Sequence, residues 1–172
     1  MLELFDHRLD IDWLGDYYQE TLADKKDQGQ VFTPPHITSL MSQLLDVENY
    51  PIISKGTIFE HCSGTGRMAI GHWNEARKAD DYSPSDYRYN CEELSGQIIP
   101  FLIFNLAIRG MNAVAVHCNF MTRESYGAFL ISNKDNDPND FSIINRVAYD
   151  EHAEKILRVK FISKLYPEHG EL

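Results

Sequence analysis

Residues 57–68 read TIFEHCSGTGRM: a β-branched and aromatic run (Thr57, Ile58, Phe59), an acid at Glu60, a Gly64-Thr65-Gly66 turn, then a helical pattern. Strand, acid, glycine turn and helix are the parts with which a parallel α/β sheet offers backbone N–H groups to a nucleotide-like ligand. The glycines permit positive φ and close approach, and the helix N-terminus lies behind them. An acid at the strand end favours a ligand with a cation or hydroxyls. A phosphate loop would need Gly-Lys-Ser/Thr after the turn, and the chain has none. A lone turn of this kind also closes ordinary strand–helix junctions, so its neighbours must give it meaning.

Those side chains need elements to hold them. Apolar spacing predicts a helix over 8–23, where Trp13, Tyr17 and Tyr18 read as packing residues. Val31-Phe32-Thr33-Pro34-Pro35 reads as extended chain entering a helix over about 35–47. The first strand is expected at 57–62 and its helix at about 66–78. A second strand follows at 87–94, an apolar helix at 95–109 ended by Gly110, and strands at 112–118 and 127–132. A further strand at 141–148 and a terminal helix over 150–165 complete the pattern. Strands alternating with helices predict an α/β domain with a mainly parallel sheet and flanking helices.

With 172 residues, 43% hydrophobic and 12% aromatic, the chain is expected to form one ordered domain. No apolar run approaches the ~20 residues of a membrane span, and an N-terminus with Glu3, Asp6 and Asp10 does not read as a signal peptide. Three dispersed cysteines suit reduced thiols in a cytoplasm. A formal charge of −10, from 26 acids against 16 bases, argues against tight unaided binding to DNA. A basic partner would change that. His61, Cys62, Cys91, His117 and Cys118 sit near strand ends, but the short C-x-x-C or H-x-x-x-H pairs of a zinc site are missing, so no metal is expected.

In a parallel sheet the strand C-termini open on one edge, where ligands bind. Three expected strands end there in polar groups: Glu60, Glu92-Glu93 and Asn119. An acid at the glycine turn suits an ammonium, an acid beyond the second strand suits a ribose diol, and an Asn beyond the third suits an adenine edge. A ligand combining these is S-adenosylmethionine.

Here the chain resembles the adenine-N6 DNA methyltransferases, particularly the modification subunits of type I restriction systems. Gly29-Gln30-Val31-Phe32-Thr33-Pro34-Pro35 resembles the family's G-Q-F/Y-F/Y-T-P segment, and Glu60 to Gly66 its D-P-x-x-G-T/S-G loop, with Glu60-His61 in place of Asp-Pro. Cys91-Glu92-Glu93-Leu94 resembles the ribose segment, Asn105 to Gly110 the N-L-x-I/L-x-G end of the next helix, and His117-Cys118-Asn119-Phe120 the adenine segment. The resemblance implies a Rossmann-like methyltransferase fold, shortened at the C-terminus, in a bacterial or phage setting. It implies S-adenosylmethionine contacts by Phe32, Thr33, Pro34, Glu60, Cys62, Gly64, Gly66, Glu93, Leu94, Asn119 and Phe120. The expected division is a helical N-terminal cap at 1–47, a cofactor-binding core at 57–133 and a divergent tail at 134–172.

The family follows its fourth strand with Asn/Asp-Pro-Pro-Tyr/Phe, which holds the target base. This chain has Asn133-Lys134-Asp135-Asn136. Asn133 is the catalytic candidate, but the rigid turn and the stacking ring, worth about 1–3 kcal/mol per base, are gone. Reduced methyl transfer, or none by the chain alone, is therefore expected. A protein partner would supply DNA recognition, and a homo-oligomer is compatible with the sequence. The alternative is a non-catalytic interaction or decoy subunit acting on a restriction–modification or mobile-element complex.

Overall fold

A computed structural model describes residues 8–21, 33–34, 36–38, 40–41 and 55–162. The elements are α1 (Trp13–Thr21), β1 (Gly56–His61), α2 (Arg67–Ala76), β2 (Tyr87–Glu93), α3 (Ile99–Ala107), β3 (Ala113–Asn119), β4 (Glu124–Ser132), β5 (Ile143–Arg146), α4 (Glu151–Leu157) and β6 (Lys160–Phe161). Residues 36–38 and 40–41 are helical and lie inside the helix expected over 35–47.

The strands form one mixed open sheet in the order β1-β2-β3-β4-β5, with β6 also beside β4. The β1–β2 and β2–β3 ladders are parallel, as alternating strands and helices predict. One face carries the main core. Tyr89, Cys91, Ala113 and Ala115 pack under Ala69 and Trp73 of α2 and Leu102 and Leu106 of α3. In β2 the period-2 alternation is plain: Tyr87, Tyr89 and Cys91 are buried while Arg88 is exposed. Pro100 falls in the first turn of α3, where no N–H is needed. Gly110 (φ 63°) closes that helix, and a side chain there would meet the Asp140 carbonyl at 2.5 Å.

The fourth strand departs from the expected parallel arrangement. β4 runs antiparallel to β3, with Ala113 opposite Ile131 and Asn119 opposite Glu124. The cause is the four-residue connection Phe120–Arg123. A parallel crossover needs a dozen residues or more, whereas a few suffice for a hairpin. Asn119 shapes the turn by accepting the Met121 and Thr122 amides, and Arg123 adopts φ 62°. β5 then pairs antiparallel with the second half of β4.

The terminal helix is also shorter than the expected 150–165. Asp150 caps α4 by accepting the Ala153 amide, and the helix ends at Arg158 with φ 55°. The next residues join the sheet as β6, parallel to the start of β4. Among the described residues, α4 and Val159 cover the β3–β4 side of the second sheet face, through Val116, Cys118 and Ala128. Toward β1 this face is a groove of about 1170 Å³, with Phe59 63% and Ile156 65% exposed.

Candidate functional site

β1, β2 and β3 end on the same edge of the sheet, and the glycine turn folds over it. The Ser63 amide donates to the Glu92 carbonyl, so the turn begins as an extension of the β1–β2 ladder. Gly64 and Gly66 take φ 57° and 88°, as the turn requires, and a side chain at Gly66 would stand 2.9 Å from Leu102. Glu93 Oε2 accepts the Gly64 amide at 2.9 Å, and Oε1 accepts the Ser95 amide at 2.7 Å. Each carboxylate oxygen keeps a lone pair for hydroxyl donors.

Below the turn, Glu60 Oε2 accepts the Ala69 amide of α2 at 3.1 Å. Burial pushes the Glu60 carboxyl up to about 8, and the nearby Glu93 charge adds to the rise. Among the described residues no cation contacts it, so a cationic ligand would favour its ionised form. Glu60, Ser63, Gly64 and Glu93 line a cleft of about 420 Å³, together with Thr33, Met41 and Arg67.

The remaining expected residues divide. Thr33 and Cys62 line the cleft, and Cys62 is exposed with φ 60°. The exposed Pro34 accepts the Ile37 and Thr38 amides and starts a helical turn. Leu94 is exposed beyond β2, and its carbonyl faces His117 Nε2 at 3.0 Å. Asn119 Oδ1 is occupied by the turn to β4. Phe120 stacks on His61 at 5.2 Å between ring centres. Phe32 lies outside the described residues.

Asn133 is not brought to this edge. Because β4 is antiparallel, its last residues lie beside the first residues of β3, at the opposite end of the sheet. Asn133 is buried there and staples a loop. Its Nδ2 donates to the carbonyls of Gly110 and Asp137, its Oδ1 accepts the Asp137 amide, and its own amide donates to Asn112 Oδ1.

Two polar networks escaped the sequence reading. Asp12, 3% exposed, caps α1 by accepting the Gly15 amide, and it also accepts Asn105 Nδ2, Thr65 Oγ1 and Arg67 Nε. Asn105 further donates to the Thr65 carbonyl, and buried Arg109 donates to Asn105 and to the carbonyls of Leu9 and Ile11. This network ties α1, the glycine turn and α3 together. Asp12 ahead of an apolar helical run is a visible N-cap signal, but its long-range partners are not. On the other sheet face Glu92, 4% exposed, accepts both Nη groups of Arg123 at 2.8 Å and faces His61 Nδ1 at 2.7 Å. Burial alone would raise its carboxyl, but Arg123 and then His61 outweigh it and hold it below the usual range.

An open α/β sheet with flanking helices, a glycine turn over its carboxyl edge and acids at two neighbouring strand ends are consistent with a methyltransferase-like fold. The family model for N-6 DNA methylases matches residues 9–153, and the chain belongs to that family. No curated protein and no solved structure matches it. No helix among the described residues is long and apolar enough to cross a membrane.

Proposed function

We propose that this chain binds S-adenosylmethionine in the glycine-turn cleft and does not, by itself, transfer the methyl group to DNA. One relation carries the reading: Glu60, Gly64 and Glu93 converge on the carboxyl edge of the sheet, while Asn133 is held at the opposite end by the antiparallel β4. The residues of the cleft suit the ligand. Glu60 is a desolvated acid that an ammonium would ionise, and Glu93 keeps acceptor capacity for a ribose diol. Exposed Leu94 and Phe120 give apolar surface for a purine beside them. When bound, the cofactor supplies an electrophilic methyl on sulfur, and the described residues place no Asn-Pro-Pro-aromatic turn beside it.

The test is thermal stabilisation by S-adenosylmethionine or S-adenosylhomocysteine, paired with transfer of labelled methyl to DNA. Ligand at 100 times its Kd adds roughly 2.7 kcal/mol to stability. A melting shift without transfer is the expected result. No shift sinks cofactor binding, and transfer by the isolated chain sinks the second half of the proposal.

A second reading, an interaction subunit of a larger modification complex, draws on the open groove over β1 and β2. Parallel ladders are ordinarily covered on both faces. Here Phe59 and Arg88 stand exposed, and among the described residues the buried Asn90 Oδ1 has no hydrogen-bond donor. Loss of association with a modification complex in Phe59→Asp, with S-adenosylhomocysteine binding unchanged, would favour this reading.

A further inference from the structure

Arg67 is the first residue of α2, immediately behind the glycine turn, and its side chain is 8% exposed. Its guanidinium reaches three acceptors on two separate pieces of chain: Nε to Asp12 at 3.2 Å and Nη2 to Asp16 at 2.6 Å at the start of α1, and Nη1 to the Thr33 carbonyl at 3.1 Å. Asp12 also accepts Thr65 Oγ1 at 2.5 Å. One acid therefore fastens both the glycine turn and the arginine that holds Thr33. Thr33, Gly64 and Glu60 line one cleft, and Arg67 lines it with them.

We propose that Arg67 is a positioning residue: it holds the Thr33 wall at a fixed distance from the glycine turn, and so sets the preference of the cleft for a nucleoside bearing an amino-acid arm over the bare nucleoside. This rests on the cofactor reading above. Arg67 does not act as the counter-charge of a ligand carboxylate, because Asp12 and Asp16 already oppose its charge. Its work is geometric. A planar fork can hold three acceptors at once, and the single ammonium of a lysine cannot reproduce that arrangement. The Glu93 end has fastenings of its own, the Gly64 and Ser95 amides. Loosening Arg67 therefore acts first on the Thr33 end of the cleft.

Calorimetric titration of the full chain with S-adenosylhomocysteine and with adenosine tests this, using wild type, Arg67→Lys and Asp16→Asn. Arg67→Lys is expected to weaken S-adenosylhomocysteine by about tenfold, or 1.4 kcal/mol, and adenosine by less than about twofold. Asp16→Asn, which alters one half-exposed contact, shifts the ratio of the two affinities the same way by a smaller factor. If Arg67→Lys does not fold, Asp16→Asn decides. Equal weakening of both ligands, or no change in either, overturns the inference while leaving the cofactor reading intact. Wild type that binds neither ligand overturns both.

Discussion

Glu93 spans two backbone segments: one carboxylate oxygen holds the Gly64 amide and the other the Ser95 amide. The side chain thus shapes the turn, and in the proposed cofactor reading it also presents oxygens to the ribose. Glu93→Ala is expected to lower stability by about 1–3 kcal/mol, the cost of leaving partly buried amides unpaired. It should also abolish most of the melting shift given by S-adenosylhomocysteine. Scanning calorimetry with and without ligand separates the two effects, and a full ligand shift in the variant would count against the role of Glu93.

Asn133→Ala is expected to behave in the opposite way. It removes the clamp between Gly110 and Asp137 and should cost about 1–3 kcal/mol in chemical denaturation. The affinity for S-adenosylhomocysteine should stay within about twofold of wild type, because additivity holds for sites far apart. A large loss of ligand affinity would mean that Asn133 acts at the cleft after all.

Two acids on one sheet edge give stability contributions of opposite sign with pH. Glu60 is raised from 4.5 to about 8, so between those values the folded protein keeps a proton that the unfolded chain releases. Its contribution falls as pH rises through that window. Glu92 is held below 4.5, so its contribution is present above the ordinary carboxylate range and is lost as pH falls through its folded value. Melting temperatures followed across pH should show wild type losing ground to Glu60→Gln between about 4.5 and about 8. A flat difference would refute the assignment.

The same chemistry predicts proton release on binding. An ammonium beside Glu60 lowers its pKa, so near pH 7 the cleft gives up a proton to buffer when the ligand enters. Titrations in buffers of different ionisation enthalpy should yield different apparent heats for wild type and the same heat for Glu60→Gln.

Arg123→Met would strand a buried carboxylate. Glu92 is 4% exposed and, among the described residues, keeps only the half-exposed His61 in that variant. Removing one partner of a buried pair costs about 3–5 kcal/mol, whereas replacing both by apolar groups is often close to neutral. The pair Arg123→Met and Glu92→Leu should therefore recover most of the loss, as denaturant midpoints would show.

Much of the parallel half of the sheet was legible in the sequence because its signals are local. The run Thr57-Ile58-Phe59, the Gly64-Thr65-Gly66 turn and the Tyr87-Tyr89-Cys91 alternation each report their own backbone, and β1, β2, α2 and α3 follow from them. The direction of β4 was harder, since a strand pattern carries no sign of direction. The available clue was the spacing after Asn119, too short for a crossover helix. Convergence of Glu60 and Glu93 followed from strand ends, which topology alone places. The pairing of Asp12 with Arg67 and Asn105 did not announce itself, because the partners lie dozens of residues apart and no periodicity encodes them.

The Phe120–Arg123 turn has a consequence for how the chain assembles. It joins β3 and β4 through neighbours in sequence, while the β1–β2 and β2–β3 ladders must each close a loop containing a whole helix. Loop closure of that length delays pairing, so the hairpin is expected to form ahead of the parallel ladders. Pulse-labelled hydrogen exchange during refolding should protect the Ala115 and Phe129 amides, which face each other across β3 and β4, before those of Ile58 and Tyr89, and simultaneous protection would refute this order. The antiparallel turn that moves Asn133 to the far edge would then also be the seed on which the edge carrying Glu60 and Glu93 is built.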